Sequence, residues 1–275
     1  MSKDQHYRSL LLPGSDSDQQ EKQDAYERLL PLLPEPIPLD VFITDLRTRF
    51  SNFDRALLGE VGVDRIFRIP FTDDVAHDAT GVARLSPFTV PIEHQLALLE
   101  AQFAVAVDLR RNISLHSVKA PQITVDLFER MAKQYGDKWK AINIDLHSCT
   151  FSQDVLKRLM VRLFILVHIF YSPLSQKAHR NVYCSLSTGI NANGRSDNYV
   201  KLIEACPDDR LLVESDFPHL EQCEQRTWDM LVLVARVKGW RLETEWEEVV
   251  PENGPGAARI MANNWQSFMR LDTSQ

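Results

Sequence analysis

The sequence contains no Cys-x-x-Cys pair, no G-x-S-x-G nucleophile elbow, no G-x-x-x-x-G-K-[ST] phosphate loop and no G-x-G-x-x-G fingerprint. Only 10 of the 275 residues are glycine, too few to favour a dinucleotide cradle. The four cysteines, Cys149, Cys184, Cys206 and Cys223, are widely spaced. That argues against a zinc ribbon or a thioredoxin-like motif and fits reduced thiols in a cytoplasmic or nuclear protein. Long hydrophobic runs are also missing. The most apolar stretch, LFILVHIFY at 163–171, is too short for a bilayer and reads as a buried helix or strand. The first 23 residues have no sustained apolar core, so neither secretion nor a membrane partner is expected. Excess positive charge is absent as well. A formal net charge of -7 argues against coating nucleic acid by bulk electrostatics, but it is compatible with a local basic groove or a metal-mediated phosphate site.

What is present suits a globular enzyme. Hydrophobic residues make up 44% of the chain and charged residues 25%, and 275 residues are enough for one α/β barrel. Residues 1–35 read as a polar N-terminal segment, with a short helix at 24–33 stopped by Pro31 and Pro34. From residue 36 to 275 the pattern reads as a single domain. Helices are expected at 40–54, 89–110, 125–135, 152–170, 199–206, 228–240 and 257–271. Short apolar strands are expected at 56–60, 112–116, 141–147, 182–190 and 211–216, with a loop over 70–91. This alternation predicts an α/β fold with parallel strands.

Four of these five strands end in a residue that can bind a metal: Glu60, His116, His147 and Asp216. Any one of them has an ordinary structural reading. Asp216, after Leu211-Leu212-Val213, could simply cap the next turn. Four in succession weigh against that reading, because a (β/α)8 barrel gathers all its strand C-termini on one face. Mixed imidazole and carboxylate donors suit Zn²⁺, Mn²⁺ or another divalent ion, and a pair of such ions is a common device for phosphodiester cleavage. Asp64 is read as fixing the loop after Glu60. His94, His168 and His179 are read as packed or solvated, and Lys119 and Arg210 as salt-bridging residues.

The segments around these residues carry a family resemblance. GEVGVD at 59–64 is similar to the G-E-[IV]-G-[LV]-D of the TatD-like metal-dependent hydrolases, within the amidohydrolase-type barrels. LHS at 115–117 resembles the strand ending in a ligand His, and HSCTFS at 147–152 resembles H-x-[FY]-[ST]-G-S. PDDRLLVESDFP at 207–218 resembles P-x-[DE]-R-[IL]-L-[ILV]-E-[ST]-D-x-P, and Asn264 with Phe268 resembles the closing N-x-x-x-[LF]. Arg65, Phe67 and Arg68 place the chain nearer a fungal branch.

The resemblance implies a (β/α)8 TIM-type barrel and two divalent metal ions, Mg²⁺, Mn²⁺ or Zn²⁺. Glu60 would bridge the two ions, His116 and His147 would complete one site, and Asp216 would bind the other and orient or deprotonate water. It further implies DNA as substrate, cleaved from a 3′ end. Two features depart from the pattern. No H-x-H occurs, and GEVGVD comes early, so an incomplete barrel of about five of the eight βα units is expected, from a chain truncated at its N-terminus. The segment 161–175 also fits poorly. The alternative is a non-catalytic interaction protein or pseudo-enzyme built on the same barrel.

Overall fold

A computed structural model describes residues 1–13, 19–71, 84–160, 179–194, 197–246, 249–252 and 254–270. The expectations for 163–171 and 161–175, and for His168, lie outside these residues. The chain divides into two compact units, Met1–Asp54 with Gly62–Val105, and Arg55–Val61 with Ala106–Gln275.

The first unit begins with α1 (Lys3–Leu11), α2 (Gln19–Leu29) and α3 (Leu39–Asn52). Helix α1 starts on a reciprocal cap: the Ser2 hydroxyl accepts from the Gln5 amide, and the Gln5 side chain accepts from the Ser2 amide. Leu11 packs with Tyr26, Leu29, Phe71 and Phe88 in a small apolar core. The buried Tyr26 hydroxyl donates to the Asp4 carbonyl at 3.0 Å. Burial and the Asp4 carboxylate push that phenol up to about 12. The polar run 1–35 therefore carries more helix than its composition suggests, because a few well-placed apolar residues per turn are enough to dock it.

Strand β1 (Leu58–Asp64) leads into the short β2 (Arg68–Pro70), which pairs antiparallel with β3 (Leu85–Thr89). The expected loop over 70–91 is thus part strand. Pro87 is tolerated there because this sheet has only two strands, leaving one side of each strand without a ladder partner. Asp64 fixes the loop as expected: its Oδ1 accepts the amides of Ile66 and Phe67 at 2.8 and 2.9 Å. His94 lies 6.2 Å from His6, ring centre to ring centre.

After α4 (Ile92–Asp108) the second unit alternates strand and helix. Its elements are β4 (Ile113–Val118), α5 (Pro121–Tyr135), α6 (Asp137–Lys140), β5 (Ile144–Leu146), α7 (Gln153–Met160), β6 (Val182–Ser187), α8 (Asn198–Ala205), β7 (Leu211–Glu214), α9 (Leu220–Lys238) and α10 (Ala257–Met269). Five strands form one sheet in the order β1-β4-β5-β6-β7, with β4 to β7 parallel. This mostly parallel sheet with flanking helices is the α/β architecture expected, and the five strands match the five expected from the sequence. Every residue of β5 and β6 is buried, as befits strands covered on both faces.

The amino ends of the strands are tied by asparagines. Asn112 Oδ1 accepts the Asn143 amide, and Asn181 Nδ2 donates to the carbonyls of Trp139 and Ile142. Asn143 Nδ2 donates to the Phe268 carbonyl at the end of α10. Asn264, on the same helix, donates to the Asp208 and Leu211 carbonyls at 2.7 and 2.8 Å, fixing the start of β7. Arg210 does the structural work expected of it, pairing with Asp209 at 2.9 Å and lying over the Tyr183 ring. Replacing Asn264 by Ala leaves two carbonyls without their donor. It is expected to cost about 2–3 kcal/mol, read as a lower urea midpoint for unfolding.

Candidate metal centre

Strand register brings the site together. Leu115 pairs with Leu146, and Leu146 with Cys184, so His116, His147 and Ser185 follow at one level across three neighbouring strands. Side chains alternate along a strand, so these three share a face with Ser187 and Glu214, which are paired across β6 and β7. Strand β1 supplies Glu60 next to β4. Gly59 allows this approach, because a Cβ there would lie 2.7 Å from the Ser114 Cβ.

The four residues singled out in the sequence converge, though not all at strand termini. Glu60 is inside β1 and His116 inside β4, whereas His147 directly follows β5 and Asp216 lies two residues past β7. Glu60 turns each oxygen towards a different imidazole: Oε1 is 2.6 Å from His116 Nδ1, and Oε2 is 3.6 Å from His147 Nε2. Asp216 Oδ2 approaches the same His147 Nε2 at 3.4 Å.

His147 is the hub. Its Nδ1 lies 2.8 Å from Glu214 Oε2, and the other Glu214 oxygen accepts the Ser148 amide at 2.7 Å and the Ser148 and Ser185 hydroxyls at 2.9 Å each. A proton on Nδ1 shared with Glu214 leaves Nε2 facing Glu60 and Asp216. Burial is the largest influence on the His147 imidazole and opposes its charge. Glu214, then Glu60 and Asp216, outweigh it and hold the group up at about 9. Burial also works against the Glu214 charge, but His147, Ser185 and Ser148 keep it below the usual carboxylate range. Beneath them Asp145 is fully enclosed. Burial and the Glu214 charge raise its carboxyl well above that range. The Ser185 hydroxyl has one hydrogen and sits 2.8 Å from Asp145 Oδ2 and 2.9 Å from Glu214 Oε1. A proton on Asp145 gives this chain a consistent order, Asp145 to Ser185 to Glu214.

Asp145, His147 and Glu214 each bring a ligand atom within 4.8 Å of the others. The donor chemistry, an imidazole nitrogen among carboxylates, fits a divalent metal ion. Asp145 Oδ1 is buried with no hydrogen-bond partner among the described residues, which an uncharged carboxyl tolerates better than a carboxylate.

Sequence reasoning missed Glu214, Ser148, Ser185, Asp145 and Gly189. The signal for Asp145 was a carboxylate between Ile144 and Leu146, two residues before His147 and so on its face of the strand. Gly189 had no sequence signal. Its amide donates to the Ser215 carbonyl, and a Cβ there would lie 2.3 Å from the Asp216 carbonyl oxygen. Asp216 itself sits at φ 45°, a left-handed conformation uncommon for a residue with a side chain. Gly189→Ala must therefore shift the backbone that aims Asp216. It is expected to weaken divalent-metal binding by about tenfold or more, measured by calorimetry with Ile190→Ala as the control.

The chain is 28% identical over 252 residues to Cut9-interacting protein scn1 of Schizosaccharomyces pombe, an alignment covering 88% of this chain and 71% of that protein. It is 23% identical over 265 residues to an uncharacterized deoxyribonuclease of Saccharomyces cerevisiae, covering 96% of this chain and 74% of the relative. Among solved structures its fold is similar to that of YJJV, a TatD homolog from Escherichia coli K12, with a TM-score of 0.52 and 16% identity over 84% of this chain and 71% of the other. Residues 45–250 match the family described as TatD related DNase, and the chain belongs to that family.

Proposed function

We propose that the chain is a metal-dependent phosphodiesterase that removes nucleotides from a 3′ end of DNA. The observation that carries this reading is the Glu60 carboxylate, with one oxygen towards His116 and the other towards His147, and with Asp216 facing the same His147 nitrogen. In this reading Glu60, His116, His147 and Asp216 would hold two divalent ions, Mg²⁺, Mn²⁺ or Zn²⁺. Asp145 and Glu214 also lie within ligand distance of His147 but are orienting partners in this reading, because the Glu214 oxygens are engaged by His147, Ser148 and Ser185 and Asp145 Oδ2 by Ser185. Bound divalent ions supply Lewis acidity at the phosphoryl oxygen and a more acidic water.

Asp216 is the proton acceptor for the attacking water. Its side chain is 31% exposed, open enough for solvent and substrate to reach. Water oxygen bonds to phosphorus, the P–O3′ bond breaks, and the leaving oxygen keeps its electron pair and takes a proton from solvent. Glu214 holds His147 in place throughout. The four free thiols accord with action in the cytoplasm or nucleus. Among the described residues no helix is long and apolar enough to cross a membrane.

A second reading is an interaction protein built on the same fold, favoured by the similarity to a protein named for its interaction with Cut9. A 5′-labelled single-stranded oligonucleotide incubated with Mg²⁺, Mn²⁺ or Zn²⁺ decides between them. The first reading expects stepwise shortening from the unlabelled 3′ end, lowered about a hundredfold or more by Glu60→Ala. No cleavage with any of the three ions, together with metal binding unchanged by Glu60→Ala, would sink it and leave the interaction protein. Glu214→Gln is expected to weaken metal binding by about tenfold to a hundredfold without lowering the number of ions bound. Loss of one bound ion would make Glu214 a ligand.

A further inference from the structure

A cleft of about 760 Å³ opens beside Asp216, between the turn after β6 and helix α9. The chemistry above uses Asp216 alone among its lining residues. The rest of the lining has a distinct character: Asn193 from the turn, Phe217, Arg226 and Asp229, and the aliphatic Val232 and Leu233. The guanidinium carbon of Arg226 lies 3.5 Å from the centre of the Phe217 ring, so two flat groups are stacked. Gln222 holds the guanidinium in plane, its Oε1 accepting from Arg226 Nε and Nη2 at 3.3 Å each. Gln225 donates to Asp229 at 2.8 Å and steadies that carboxylate.

Charge decides what such a cleft can take. With Asp216 assigned to the ions, Arg226 and Asp229 balance each other, so the remaining walls carry no net charge to draw a phosphate. A flat, uncharged group with polar edges fits them: its face can lie on the guanidinium or the aromatic ring, and its edge can meet the Asn193 amide. A nucleobase has this shape and polarity. A volume of about 760 Å³ also falls within the range of small-molecule sites. Because the cleft reaches Asp216, a base lodged in it belongs to the nucleotide adjoining the bond to be cut.

We propose that this cleft is the nucleobase subsite for the nucleotide adjoining the scissile phosphodiester, with Arg226 and Phe217 as its stacking platform. The proposal rests on the phosphodiesterase reading but is tested without turnover. Deoxyadenosine, an uncharged nucleoside, is titrated into the metal-loaded protein and binding is followed by NMR, with 2-deoxyribose as the probe lacking a base. The nucleoside is expected to bind at least about fivefold more tightly than the sugar. That preference should fall by about fivefold or more in Arg226→Ala and in Arg226→Lys, which keeps the charge but not the plane. Phe217→Leu carries the same expectation if either arginine variant fails to fold. Equal binding of the two probes, or a preference that survives in the folded variants, would overturn the subsite. Nucleoside binding that behaves as expected in a protein that cleaves no DNA would overturn the phosphodiesterase reading alone.

Discussion

The rest of the site depends on one contact, the 2.8 Å approach of His147 Nδ1 to Glu214 Oε2. An imidazole has two nitrogens, and the partner of one decides what the other can do. With Glu214 on Nδ1, the Nε2 edge is presented to Glu60 and Asp216. The glutamate can do this only because its own charge is satisfied within the sheet by an amide and two hydroxyls. A buried carboxylate lacking those donors would take up a proton and lose its hold on the ring. The serines at 148 and 185 therefore matter to the site through Glu214.

The geometry also separates two kinds of work along the same strands. At their amino ends, asparagines close the hydrogen bonding of the backbone, a task of stability. At the opposite ends the charged groups face one another at 2.6 to 3.6 Å. This division is usual in parallel α/β proteins, where the ends of the strands differ in what they can expose. Close approach of backbone to backbone, at Gly59 against Ser114 and at Gly189 against Asp216, sets how near the charged groups come.

Much of this was legible in the sequence, for physical reasons. Apolar runs mark buried parallel strands, so the five-stranded sheet could be anticipated. Charged or imidazole residues adjoining those runs stand out because nothing apolar explains them, and His116, His147, Glu60 and Asp216, which the fold brings near one another, were singled out that way. The limits were equally physical. Glu214 and Asp216 are two apart and look alike on paper, but the left-handed backbone at Asp216 breaks the alternation that would have related them. Ser148 and Ser185 are common residues whose roles exist only through pairing between distant strands. Six of the nine residues of helix α1 are polar, and β3 contains a proline, so neither announced itself by pattern.

The asparagine ties to α10 have a consequence for how the molecule is made. Asn112 and Asn143 donate to the carbonyl of Phe268 across separations of 156 and 125 residues, and Asn264 reaches back 53 residues to Leu211. Contacts between segments so far apart form late and slowly, since long stretches of chain must be ordered before they are rewarded. During synthesis the sheet waits for α10 to leave the ribosome before its amino ends are secured. Until then the face bearing His147 can be assembled only in passing, so the ability to bind ligands at that face should arise after translation of α10 and not gradually as the strands emerge.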